Sequence, residues 1–334
     1  MEYRSLAGTS LDVSVLGFGA SPLGNEFREI DPADGQQAVN NAIDHGVNYF
    51  DVAPYYGRTL AEERLGKFLD GKRDEVILAT KACRYGRELP DGFDFSAERT
   101  VRSVEESLHR LRTDVIDVLQ VHDVEFGDAD KIIGETLPAL HQLKKQGKIR
   151  YVGITGYPLQ ILKKIASEAE VDTILSYCHY DLMDTTMDRV LTPFAREQDI
   201  GLINASPLHM GMLTDRGAPD WHPAPPEIEE VAQEVAECCA DYGTNVSALA
   251  MQFALDYDGV ATTLVGMSSP RSVERNVQAL NGGKPDPELL AEVQQIVAPV
   301  ADRSWPSGLP ENQDDALDAS LDASSSAPAA QRAT

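Results

Sequence analysis

Residues 47–69 read VNYFDVAPYYGRTLAEERLGKFL: a short β-rich apolar run ending in an aspartate, a tight segment holding two tyrosines and a glycine, then an amphipathic stretch at helical spacing. This strand–loop–helix unit recurs. Strands are expected over 14–20, 47–53, 75–81, 115–123, 149–156, 173–180, 200–207 and 262–267. Helical patterns follow at Asp34–Asp44, Leu60–Leu69, from Ser96 onward, and at Glu135–Lys145, Pro158–Ala169, Met187–Gln198, Pro226–Tyr242 and Pro270–Leu280, with one more over Ser247–Tyr257. Strands that are apolar on both faces and are each followed by a helix mean a parallel sheet. Eight such units suit an α/β protein of the closed (β/α)8 TIM-barrel type better than a doubly wound sheet. GFGASPLGN (17–25) has its glycines at the wrong spacing for a G-x-G-x-x-G turn, which disfavours the doubly wound reading further. Tyr3–Val13 reads as an N-terminal β-hairpin plugging the barrel's bottom. The expected organisation is one domain over 1–303 and an acidic, low-complexity, disordered tail over 304–334.

Composition narrows the function. The chain has 334 residues, 42% apolar, enough for one large core. No run approaches a membrane-spanning helix, and the N-terminus lacks a secretory pattern, so a cytoplasmic protein is the default expectation. Cys83, Cys178, Cys238 and Cys239 show no C-x-x-C spacing, which favours reduced thiols over a zinc site, and no metal is expected. The net charge is −25; the stretch from Glu311 onward carries −4 of it, leaving −21 spread over the body. Such a field opposes nucleic acid and anionic membranes. Arginine outnumbers lysine, and the acidity resembles that of halophilic proteins, whose repulsion salt screens.

In a barrel, chemistry gathers where strands end. Those ends deliver Asp51, then Tyr56 just beyond it, Lys81 and His122 from three successive units. A buried aspartate is costly alone, and Lys81 would neutralise it. The ammonium would also favour phenolate and lower the pKa of Tyr56, fitting it for proton transfer. His122 could orient a substrate oxygen. Each residue alone has a plain structural reading as cap, packing group, surface lysine or core histidine. Their convergence favours catalysis.

With these residues in place the chain resembles the aldo-keto reductase superfamily, through DVAPYYG, LAEERLG, ATK, LQVHD, GKIRYVGITG and INASPLHMGMLT. Within it, CRYGRELPDGFDFSAERT, ILSYCHY, LVGMSSP and the run from Ser206 to Glu227 resemble the L-galactose dehydrogenase-like branch. The resemblance implies Tyr56 as general acid/base, Lys81 and Asp51 tuning it, His122 positioning substrate, and hydride passing to or from a nicotinamide. It also implies dinucleotide contacts at Thr155, Tyr177, Ser206, Leu208, Gly211, Leu213, Met267, Ser268, Arg271 and Asn276. The Ser-Asn pair many members carry after the fifth strand is Thr155-Gly156 here, and the tyrosine many place before S-P-L is Ala205, leaving Tyr177 as stacking candidate. Ser272 stands where NADP-preferring members carry arginine, which favours NAD over NADP; Arg271 and Arg275 keep dual use open.

A pocket rim of Tyr55, Tyr85, Phe126, His179, His209, Trp221 and His222 would suit a sugar, with aromatic faces and polar edges. The specific expectation is oxidation of an aldose at C1 to the lactone. The broader one is aldehyde or ketone reduction. A non-catalytic nucleotide-sensing barrel, a barrel isomerase or epimerase, and a metal site from His122, Asp123 and His179 are the competing readings. The sugar, the direction and the oligomeric state stay open.

Overall fold

The computed structural model describes residues 1–314. Strands β1 (Tyr3–Leu6) and β2 (Leu11–Ser14) form an antiparallel hairpin. Eight further strands follow: β3 (Leu16–Gly19), β4 (Tyr49–Asp51), β5 (Ile77–Ala82), β6 (Ile116–Val121), β7 (Ile149–Gly156), β8 (Thr173–Tyr177), β9 (Gly201–Ala205) and β10 (Thr262–Gly266). They pair in parallel in chain order, and β10 returns to β3, closing the barrel. Leu6, Leu11 and Val13 of the hairpin pack with Tyr49, Ala79, Val118, Leu175 and Ile203, which face the barrel's interior at its lower end. The hairpin is a plug, as expected.

The helices are α1 (Pro32–Asp44), α2 (Leu60–Phe68), α3 (Ala97–Leu111), α4 (Ala129–Lys131), α5 (Leu137–Lys145), α6 (Leu159–Glu168), α7 (Thr186–Gln198), α8 (Pro226–Asp241), α9 (Val246–Asp256), α10 (Pro270–Asn281) and α11 (Pro287–Val297). Helix α3 shows how sequence sets an element. Ser96 Oγ accepts the Arg99 N–H at 3.3 Å, and Thr100, Val104, Leu108 and Leu111 fall on the buried face. Helix α5 starts later than expected because residues Ile132–Thr136 widen into a π turn. Helix α11 was not anticipated; it is capped by Asp286 and packs beside α8.

Four strands stop sooner than their apolar runs suggest, or turn sharply on ending. Cys83, Asp123, Cys178 and Ser206 adopt φ of 81°, 55°, 58° and 58°, and each swings the chain out of its strand at the same rim. Residues 304–314, assigned to the tail on composition, are a correction: they pack against the barrel. Trp305 stacks on Tyr157 at 4.7 Å, Asn312 donates to Glu125 O and Gly127 O at 3.0 and 2.8 Å, and Asp314 caps α6. The acidic stretch from 315 lies outside the described residues. No helix among the described residues is long and apolar enough to cross a membrane.

Candidate active site

The structure brings Asp51, Tyr56, Lys81 and His122 together at one mouth of the barrel. Asp51 ends β4, and Lys81 lies near the end of β5, which pairs with β4. Lys81 Nζ donates to Asp51 Oδ1, to Val52 O at 3.0 Å and to Tyr56 Oη at 3.2 Å, which uses all three ammonium protons. Gln120 Nε2 binds the other Asp51 oxygen at 3.0 Å. Both charged side chains are almost fully buried, so neither would be tolerated without the other.

The glycine after the two tyrosines fixes the phenol's place. Gly57 sits at φ 61° against the backbone of Gly24, and a side chain on Gly24 would meet the Tyr56 carbonyl at 2.7 Å. Only glycines allow these two loops to touch.

Because Lys81 can only donate, Tyr56 Oη accepts from it, and the phenol's own O–H is left to donate elsewhere. The expected acidification of Tyr56 is a correction. Burial raises its pKa above the usual 10; Lys81 pulls it down but does not reverse the shift. Burial alone would lower the pKa of the Lys81 ammonium, but Asp51 and Tyr56 outweigh that and raise it. The imidazole of His122 packs edge-on to Tyr56, ring centres 5.8 Å apart, with Nε2 3.5 Å from Asp123 Oδ2. Burial drives its pKa down to about 3, against the pull of Asp123, so the ring is neutral at physiological pH and keeps one N–H. The site therefore holds a protonated phenol backed by a fixed ammonium, beside a neutral hydrogen-bond donor.

The other expected residues divide. Tyr55 lies 6.0 Å from both Tyr56 and His122, and Phe126 stacks on Phe93 nearby. Tyr85 and Tyr55 line a cleft of about 480 Å³ with Arg58 and Arg87. Trp221 is exposed and stacks on Phe27 across two loops. His179, His209 and His222 are buried and do not form an exposed rim, each being held through a ring nitrogen. His179 Nδ1 is held by Thr186 at 2.8 Å and lies 3.4 Å from Asp184; His209 Nδ1 is held by Asp181 at 2.8 Å; His222 Nε2 meets His209 O at 3.0 Å. The metal set His122, Asp123 and His179 does not assemble, because Asp123 pairs with Arg84 and His179 with Asp184. Cys178, Asp181 and His209 do cluster, but the imidazole is already bonded to the carboxylate.

Among the residues implied for a dinucleotide, Asn276 on α10 is the telling one. It is 1% exposed, and neither amide atom has a partner among the described residues. A buried amide left so is costly, and a bound ligand would satisfy it. Ser206, Leu208, Gly211, Ser268 and Arg271 lie in the loops and helix start after β9 and β10. Leu213 and Met267 are fully buried in the core, so their side chains are packing groups. The Thr155 hydroxyl is engaged by Asp123, and Tyr177 sits 5.3 Å from Tyr157. Amides of His209, Gly211, Met212 and Leu213 close turns within their own loop instead of facing outward. These residues fit a dinucleotide through Asn276 and the start of α10 more than through loop amides.

Gln120 and Arg84 were not picked out for the site, and Asp123 only as a metal ligand. Gln120 could have been, since it lies on β6 two residues before His122, and alternate residues along an extended chain point the same way. Arg84 could not, because the left-handed turn at Cys83 redirects the chain.

A parallel barrel whose strand ends hold a lysine–aspartate pair beneath a phenol, beside a neutral imidazole, defines a proton-transfer centre of barrel oxidoreductases. Residues 15–298 match the aldo/keto reductase family, and the chain belongs to it. It is an oxidoreductase, of a family that works with a nicotinamide dinucleotide. It is 45% identical over 321 residues to L-galactose dehydrogenase of Arabidopsis thaliana, covering 93% of this chain and 99% of the relative. D-threo-aldose 1-dehydrogenase of a Pseudomonas species is 30% identical over 298 residues, 81% of this chain and 91% of that one. The holo form of aldo-keto reductase AKR11C1 from Bacillus halodurans superposes with a TM-score of 0.75 at 29% identity, over 94% of this chain and all of that structure.

Proposed function

We propose that this protein oxidises an aldose of the L-galactose type at C1 to the lactone. The observation that carries the chemistry is the Lys81–Tyr56 hydrogen bond, which leaves the phenol's own proton free for exchange with a substrate oxygen. Likeness to two aldose dehydrogenases supports the substrate class. A nicotinamide held at this mouth would supply the hydride acceptor or donor. In reduction the Tyr56 phenol gives its proton to the carbonyl oxygen, and Lys81 offsets the negative charge left on the phenol oxygen; in oxidation it is the phenolate, populated as pH rises, that takes the hydroxyl proton. The neutral His122 donates to the substrate oxygen and holds it for Tyr56.

NAD is the proposed cofactor over NADP. The Ser272 hydroxyl is spent in the capping box of α10, donating to Ser269 O at 2.6 Å, and offers no cation for a 2′-phosphate. Arg271 and Arg275 form no ion pair among the described residues and are the only cations of that turn.

The test is reduction of NAD+ and of NADP+ with L-galactose by the purified protein, beside Tyr56→Phe. The expected outcome is turnover, a higher kcat/KM with NAD+, and a loss of about a thousandfold in kcat for the variant. Absence of turnover on L-galactose, D-arabinose and L-fucose alike would overturn the sugar reading. An NADP+ preference would overturn the cofactor.

A further inference from the structure

Arg84 and Asp123 take no part in the proton relay, yet they border it. Asp123 follows His122, and its Oδ2 lies 3.5 Å from His122 Nε2. The Arg84 guanidinium pairs with that same oxygen and stacks on Tyr55 at 4.0 Å, the ring that touches both Tyr56 and His122. Phe93 and Phe126 stand at 5.3 and 5.6 Å from it. Three rings and one carboxylate thus hold a planar fork in a single orientation.

Stability does not explain the pair. The Asp123 side chain is 3% exposed and that of Arg84 19%, and a buried ion pair adds little over apolar packing of the same volume. One valence is also unspent. Arg84 Nη1 binds Asp123 and Nε lies at the limit of reach of Gly86 O, whereas Nη2 has no partner among the described residues. Asp123 is braced from behind, through its N–H to Thr155 Oγ1 at 3.1 Å and its Oδ1 from the same hydroxyl at 3.3 Å.

We infer that the Arg84–Asp123 pair reads the hydroxyl on the carbon next to the reacting one, and so selects α-hydroxy carbonyl compounds and aldoses over plain aldehydes. A hydroxyl both donates and accepts, and a guanidinium donor beside a carboxylate acceptor satisfies both. An anionic substrate group fits less well, because Asp123 already offsets the arginine's charge. Sites that hydrogen-bond a substrate hydroxyl discriminate strongly against analogues lacking it, since buried polar groups are then left unpaired. The inference rests on the tetrad as the reacting centre and deepens the sugar reading without depending on L-galactose as the sugar.

The test compares reduction of glyceraldehyde with that of propanal, which has the same chain length and no hydroxyls, in the wild type, Arg84→Lys and Arg84→Met. The readout is the ratio of the two kcat/KM values. The wild-type ratio is expected to exceed about tenfold and to fall toward unity in both variants. Lysine keeps the charge opposite Asp123 and loses the fork, so that variant retains the fold if methionine does not. A wild-type ratio near unity, or variants that lose activity on both aldehydes equally with the ratio preserved, would overturn the inference. Failure of L-galactose oxidation with the ratio behaving as expected would overturn only the proposed sugar.

Discussion

His122 is neutral because burial outweighs the carboxylate beside it. Its folded pKa of about 3 lies below its ordinary 6.5, so through the neutral range no proton is gained or lost there. Reductive kcat/KM on glyceraldehyde should therefore be flat from about pH 5.5 to about pH 8, without the step near 6.5 that an ordinary histidine gives. A step there, absent in His122→Asn, would refute the neutral ring. Tyr56 titrates above 10, so proton donation persists across that range and oxidation gains from rising pH. The four tetrad residues were legible in the sequence because strand ends in a barrel converge whatever the loops do. The sign of the Tyr56 shift was not, since desolvation depends on what the folded loops bury. The burial of His179 and His209 was not legible for the same reason: their partners Asp184 and Asp181 look like ordinary turn residues until the chain folds.

At the scale of elements, periodicity placed every barrel strand, and most helix starts were visible as caps or prolines. Helix α11 escaped because it lies beyond the eightfold pattern, although Asp286-Pro287 announces it. The last described segment escaped because Trp305 and Asn312 are single anchors in a polar stretch. It docks on Glu125, whose backbone oxygen accepts from Leu309 and Asn312 and whose Oε1 accepts from Tyr157 N–H and Ser307 Oγ. Burial and then Asp123 push the Glu125 carboxyl up to about 8, from 4.5. Between those values the folded state binds the proton that the unfolded chain has released, so this contribution to stability is whole below about pH 4.5 and is lost as pH rises toward 8. Glu125→Gln should raise Tm at pH 8 and change it little at pH 5. An equal change at both would show that the carboxyl is ionised in the fold.

For the molecule as a whole, charge decides the response to salt. Its ion pairs weaken as salt screens them, but a net −25 leaves an excess of like charge whose mutual repulsion salt also screens. Raising NaCl from about 0.1 M to about 1 M shortens the screening length from about 10 to about 3 Å and should raise Tm. A Tm that stays level or falls would show that the acidic surface imposes no net strain. The ring of strands carries a different consequence. Residues Leu16–Gly19 are the first barrel strand to be made, and their neighbour Thr262–Gly266 comes only after most of the chain exists. Until then both borders of the growing sheet stay bare, an invitation to pair with other nascent chains. A chain cut short before Thr262 would thus leave an open, sticky sheet and not a smaller enzyme.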